Sequence, residues 1–177
     1  MIRMIALKKD HMELLLKWRK QARVKDAMLT EVNHSLEKQF EWYNSIRNDP
    51  SKKYWLITFE EKPIGVINLS EIDQVNNKCS AGFLIGEESF SSLGAIVLPA
   101  LYNYIFKKRG FLKVYGSVVS SNKTILKIHE IHGYRQIGYY EKHILKNNEY
   151  IDIILVELMA ENWLSKKKFA SYEAEWD

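Results

Sequence analysis

Residues 79–119 read CSAGFLIGEESFSSLGAIVLPALYNYIFKKRGFLKVYGSVV. CSAGFLIG (79–86) and KVYGSVV (113–119) both have the apolar, strand-like composition of sheet segments. Between them, ESFSSLGAIVL opens as a loop of small residues and leads into an apolar helix. That helix stops at Gly110, where glycine adopts the left-handed conformation easily and Lys107, Lys108 and Arg109 suit the negative end of the dipole. Pro99 is expected in or near the first turn, where its missing N–H costs little. Strand, helix and strand in succession form a crossover unit, so the two strands run parallel.

The surrounding chain reads differently. Upstream, KYWLITF (53–59) turns at Glu61-Lys62-Pro63 into IGVINLSEI (64–72), which turns at 73–77 into strand 79–86. Connections this short make an antiparallel meander. Residues 2–7 are strand-like. Asp10 opens a helix that carries Met12, Leu15, Leu16 and Trp18 on one face. Ser35 caps a second helix, with Leu36, Phe40, Tyr43 and Ile46 at helical spacing, ended by Asn48-Asp49-Pro50. Downstream, SSNKTILKIHEIHGY (120–134) reads as a helix over 122–132, capped by Asn122 and stopped by Gly133. Strands at about 134–145 and 150–158 follow, joined by a turn at Lys146-Asn147-Asn148. Residues 160–177 read as a charged, partly helical tail. The expectation is an α/β (α+β) fold: a mixed, mostly antiparallel, seven-stranded sheet flanked by helices, with one parallel pair inside it.

Bulk composition narrows the class. At 177 residues the chain suits one domain (1–158) with a short tail (159–177). A hydrophobic share of 46% and a charged share of 27% are those of an ordinary globular protein. The net charge of +4 suits an acidic small ligand, and without a long basic block nucleic acid is not expected. Cys79 is the sole cysteine, which rules out an intramolecular disulfide. MIRMIALKKDHMELLL lacks a signal-peptide pattern, and no stretch approaches the roughly 18 apolar residues of a membrane span. A cytoplasmic protein without membrane partners is expected.

Three features could carry chemistry. Ser91, Ser92, Gly94 and Ala95 leave room at a helix start, where free N–H groups and the positive dipole end can hold phosphate; the same residues also make an ordinary loop and cap. Parallel strands that part leave backbone groups for a ligand with amides of its own, and Asn122 could offer its amide there or serve only as a cap. His129 lies seven residues after Asn122, about two turns along the same face, and its imidazole suits proton transfer near neutral pH. His132, at the helix end, reads as a dipole partner.

This arrangement resembles the GNAT superfamily of acyl-CoA-dependent N-acyltransferases over residues 1–158. SSLGAI (91–96) stands in place of the family's pyrophosphate loop, Gln/Arg-x-x-Gly-x-Gly/Ala: Gly94 matches the first glycine, Ser91 replaces the basic or amide residue and Ile96 the last small one. The run from Asn122 to Tyr134 is similar to the family's Asn-x-x-Ala-(apolar)-x-(apolar)-Tyr-Glu-Lys-x-Gly-Phe. It puts His129 where many members carry the tyrosine that protonates the leaving thiolate. The resemblance implies a splayed central strand pair, acetyl-CoA as cosubstrate and no metal. It implies cofactor contacts at Phe83, Ile85, Ser91, Ser92, Leu93, Gly94, Ala95, Ile96 and Asn122. Ser80 falls where many relatives place a glutamate, and is taken with His129 as catalytic.

Within the superfamily, LLKWRKQARVKDAM (15–28), HSLEKQFEWYNSI (34–46) and KPIGVINLSEID (62–73) resemble members that acetylate the 4-amine of a nucleotide-linked amino-deoxy sugar. The type is UDP-4-amino-4,6-dideoxy-N-acetyl-β-L-altrosamine, in pseudaminic acid biosynthesis. On that resemblance Arg19 would meet the diphosphate, Gln39 and Ser70 would line the sugar pocket, and a homodimer would be compatible. Trp18 and Tyr43 read as core. The Trp-Arg opening also occurs in ribosomal-protein N-terminal acetyltransferases, which are one alternative; a non-catalytic acyl-CoA-binding module is another.

Overall fold

A computed structural model describes residues 1–29 and 35–177. Strand β1 (Ile2–Ala6) leads into helices α1 (Met12–Arg19), α2 (Ala22–Ala27) and α3 (Leu36–Ile46). Strands β2 (Lys53–Phe59), β3 (Lys62–Asp73) and β4 (Lys78–Ile85) form the meander. Helix α4 (Gly94–Asn103) and strand β5 (Lys113–Val119) complete the crossover. Helix α5 (Lys123–His132), the hairpin β6 (Arg135–Lys146) and β7 (Glu149–Met159), helix α6 (Ala160–Leu164) and strand β8 (Glu175–Trp176) end the chain.

All seven expected strands are present. Among the described residues the sheet nevertheless has eight, in the order β6-β7-β5-β4-β3-β2-β1-β8. The eighth comes from the tail: β8 adds in parallel to β1, pairing Arg3 with Glu175 and Met4 with Trp176. The tail is packed as well as paired. Trp163 is 2% exposed, and its indole N–H donates to Asn103 Oδ1 at 2.9 Å. The Asn103 amide in turn donates to the carbonyls of Phe169 and Tyr172 at 2.9 and 2.8 Å. Trp176 stacks on Tyr104 with ring centres 3.9 Å apart.

Alternation along the strands divides the core in two. Leu56 and Val66 turn toward α1 and α3, where Met12, Leu15, Trp18 and Ile46 meet them. Ile57, Ile67, Leu69 and Cys79 turn the other way, against Val97, Leu101 and Tyr102 of α4 and Trp163 of α6.

The segment before α4 differs from expectation. It is a 3-10 turn over Glu88–Leu93 that runs straight into α4, and a π turn over Tyr104–Lys108 continues the helix. Pro99 is therefore the sixth residue of α4, and the expected first-turn placement is corrected. The N–H it lacks would have met the carbonyl of Ala95, which lies on an exposed turn where water can serve it. The helical run Glu88–Lys108 spans 21 residues at mean hydropathy 1.3, long and apolar enough for a membrane span by composition, contrary to the sequence reading. Here it is a core helix, buried from Val97 to Asn103. Both glycine stops hold: Gly110 has φ +69° and Gly133 has φ +95°.

Candidate active site

β4 and β5 pair at only three rungs: Lys78 with Lys113, Cys79 with Val114, and Ser80 with Tyr115. Beyond Ser80 each strand keeps its outer partner. β4 stays on β3 as far as Ile85 opposite Gly65, and β5 stays on β7 as far as Val119 opposite Ile153. The inner edges of Ala81–Ile85 and Gly116–Val119 thus face a gap with backbone groups that no strand among the described residues satisfies. An amide-bearing chain can complete such edges as a strand would.

The open end of this gap is bridged. Gln21 Nε2 donates to the Gly86 carbonyl at 3.0 Å, while Arg23 donates to the carbonyls of Ile85 and Gly86 at 3.0 and 2.7 Å. Those bonds hold α2 to the end of β4. From the other side Lys146, at the end of β6, donates its ammonium to the carbonyls of Lys25, Asp26 and Met28 at 2.6, 3.1 and 2.9 Å. It closes the C-terminal end of α2 as a cation should. Sequence reading missed Gln21, Arg23 and Lys146, since nothing local marks partners more than 60 positions away.

At the closed end a polar rung crosses the sheet: Ser70 faces Ser80, Ser80 faces Tyr115, Tyr115 faces Glu157 and Glu157 faces Arg135. It shares the α1/α3 face with Leu84, four residues along β4 from Ser80. Ser70 and Ser80, two expected site residues, are half-buried neighbours here. Glu157 is 4% exposed and held by Lys113 Nζ at 3.0 Å and Arg135 Nε at 2.7 Å. The hydrogen bond from Lys113, then that from Arg135, holds its carboxyl below the usual range. The Tyr115 hydroxyl donates to Glu71 Oε2 at 2.6 Å.

The opposite face carries the expected cofactor residues. Ile125 and Ile128 seat α5 on the same cluster as Phe83, whose ring would lie 3.4 Å from a Cβ at Gly94. Ser91, Ser92 and Ala95 are exposed, Leu93 and Ile96 are half-buried, and Gly94 donates its N–H to the carbonyls of Ser91 and Ser92. The Ile85 side chain is core, at 6% exposure. Asn122 is a true cap, its Oδ1 accepting from the Ile125 N–H at 3.2 Å.

His129 stacks on Tyr134 at 4.2 Å, with its Nδ1 buried and without a partner among the described residues. Burial lowers its pKa to about 4, so the resting ring is neutral at pH 7 rather than an imidazolium. His132 is not the cation expected at the helix end. It is 3% exposed among Tyr102, Trp163 and Phe169, and burial lowers it to about 4 also. Cys79 is buried, which pushes its thiol up to about 12. A thiol held in that form is no nucleophile.

Two of the expected sugar-side residues, Arg19 and Gln39, touch each other. Arg19 lies over the Trp42 ring at 4.4 Å and donates to Gln39 Oε1 at 3.2 Å. Gln39 is 2% exposed, with its amide on Met12 Sδ at 3.8 Å, so it braces Arg19 and is not open to a ligand, a correction to its expected role. Trp18 is fully buried, as expected, and donates to Glu87 Oε1 at 2.9 Å. A cleft of about 520 Å³ opens elsewhere, between the end of α3 and the start of β2, lined by Tyr43, Arg47, Lys52 and Tyr54 among others. It contains none of the expected site residues.

A family model described as "Acetyltransferase (GNAT) domain" matches residues 3–155. Two curated relatives from Campylobacter jejuni are named "Acetyltransferase PseH". One, from strain 81-176, is 29% identical over 126 residues, which is 70% of this chain and 76% of the relative. The other, from strain NCTC 11168, is 26% identical over the same shares. Among solved structures, spermidine N-acetyltransferase from Vibrio cholerae in complex with CoA and spermine superposes with a TM-score of 0.84. It is 17% identical, covering 92% of this chain and 98% of that one. A dodecameric structure of spermidine N-acetyltransferase from the same organism superposes with a TM-score of 0.78 at 16% identity, covering 93% and 97%. The solved structures speak for the fold.

Proposed function

The chain belongs to the GNAT acetyltransferases, and from that membership we propose that it carries the acetyl group of acetyl-CoA to the 4-amine of a nucleotide-linked amino-deoxy sugar. The type of acceptor is UDP-4-amino-4,6-dideoxy-N-acetyl-β-L-altrosamine. The observation that carries the reading is the β4–β5 pairing that ends at its third rung. The PseH-named relatives support the sugar.

The residues divide the work between the two faces. The inner edges of Ala81–Ile85 and Gly116–Val119 bond the amides of the pantetheine arm. Ser91, Ser92 and Ala95 leave room for the diphosphate where the helical run begins and the dipole is positive. A free N–H on β4 donates to the thioester oxygen as charge builds there, and much of the rate comes from holding two reactants in line. Attack is direct, because the one cysteine is held as a buried thiol. The neutral ring of His129 donates an N–H to the departing sulfur, with Tyr134 fixing its plane. Ser80, on the last rung, lies beside the amine. Arg19, held by Trp42 and Gln39, turns its remaining N–H groups to the diphosphate. A cytoplasmic homodimer belongs to the same reading; the exposed side chains of Ile137, Tyr139, Tyr140 and Leu145 on the edge strand β6 give a second copy apolar surface to cover.

Thiol release from acetyl-CoA, measured separately with the 4-amino nucleotide sugar, an N-terminal peptide and spermine, tests this. Turnover is expected with the sugar, and turnover with the peptide alone overturns it. His129→Ala should lower kcat by about a hundredfold with KM little changed. An unaltered kcat removes His129 from the mechanism.

A further inference from the structure

The acceptor amine is an ammonium near neutral pH and must lose a proton before it can attack. The side chains near the gap narrow the choice of acceptor for that proton. Both oxygens of Glu157 are committed to Lys113 and Arg135. His129 belongs to the opposite face of the sheet.

Glu71 is placed differently. The β3–β4 register breaks between Ser70 and Asp73, and Glu71 sits in that break with φ +50°, a conformation a non-glycine residue rarely holds. The Ile72 N–H, donating to the Ser51 carbonyl at 3.0 Å, fixes the break from outside. Bulges re-aim side chains next to active sites, and strain persists where function requires it. Here the break sends the carboxylate of Glu71 over β4 to a residue of β5, where Oε2 accepts from the Tyr115 hydroxyl at 2.6 Å. Tyr115 stands directly opposite Ser80, on the last rung before the strands part.

We propose that Glu71, through the hydroxyl of Tyr115, takes the proton of the acceptor's ammonium at the closed end of the β4–β5 gap. The inference rests on the acetyl-transfer reading of that gap. Tyr115 donates its hydrogen to Glu71, which leaves a lone pair on its oxygen to accept from the ammonium. One proton moves from nitrogen to the phenol oxygen as the phenol proton moves to Glu71. The amine becomes neutral, Tyr115 is unchanged and the carboxylate becomes a carboxylic acid that later returns the proton to water. Burial, then the bond to Glu71, pushes the Tyr115 hydroxyl up to about 12, so it relays without ionising. The charges around the pair are Lys78, with Nζ 5.7 Å from the Tyr115 ring centre and 4.0 Å from Asp73 Oδ2, together with Lys113, Glu157 and Arg135.

The test is the pH profile of kcat/KM from pH 6 to 10 for wild type, Glu71→Gln, Tyr115→Phe and Glu71→Asp. It uses whichever of the nucleotide sugar, spermine or N-terminal peptide the wild type acetylates fastest. Turnover with spermine alone would reject the sugar and leave this test standing. Glu71→Gln and Tyr115→Phe should lose about a hundredfold at pH 7. The loss should close as pH rises past the pKa of the amine, because the acceptor then arrives neutral. Affinity for CoA should stay within about twofold, and Glu71→Asp should recover part of the rate. A loss of equal size at every pH, activity within threefold of wild type at pH 7, or a parallel collapse of CoA affinity overturns the proposal.

Discussion

His129 and His132 show how far burial can move a residue from its ordinary chemistry. Both sit with Nδ1 buried and unpartnered among the described residues, and both are lowered from 6.5 to about 4. Folding thus favours the neutral ring, and between pH 4 and 6.5 the unfolded chain binds more protons. Their stabilisation is complete above pH 6.5 and is lost as pH falls toward 4. For His132, 3% exposed, the shift makes the loss between pH 7 and 5 about 2 kcal/mol. His129 is less buried and contributes less. Urea unfolding at the two pH values should show the fall, and His132→Phe should flatten it; equal midpoints for wild type would contradict the shift. Sequence gave His129 its place on the helix face, but the aromatic box around His132 draws on residues 102, 163 and 169 and has no local signature. The same holds for Glu71 and Tyr115, separated by 44 positions and joined by a bulge that no alternation pattern predicts.

Elements were read well where punctuation is chemical. Gly110 and Gly133 end their helices in positive φ, and Asn122 and Ser35 cap theirs. Pro99 misled because the helical run begins at the 3-10 turn of Glu88–Leu93, before the amphipathic pattern becomes visible. Helix α2 has six residues, too few to be stable alone, and its place depends on Gln21, Arg23 and Lys146. Lys146→Met removes three charge-assisted bonds to the end of α2. Amide hydrogen exchange over residues 22–28 should quicken about tenfold, since one charged hydrogen bond contributes roughly 1.5–3 kcal/mol, with Lys146→Arg closer to wild type. Unchanged exchange there would mean that Gln21 and Arg23 hold α2 without help.

At the scale of the molecule, composition and the order of elements were enough to reach a mixed sheet with one parallel pair; the parting of that pair came from the resemblance. The tail was not legible, because a two-residue strand has no periodicity and its partner is at the other end of the chain. Trp163 and Trp176 nevertheless make it part of the core. A chain ending at residue 158 should lose cooperative unfolding, and Trp163→Ala should cost about 3–5 kcal/mol in denaturant unfolding. A truncated chain that melts within a few degrees of the full one would show the tail to be dispensable. The burial of Cys79, on the middle of the three joined rungs, has a practical consequence. A maleimide reagent meets no reactive sulfur in the intact protein, so each label incorporated counts one opening of the central sheet. The molecule carries its own clock for unfolding, at the spot where its two middle strands meet.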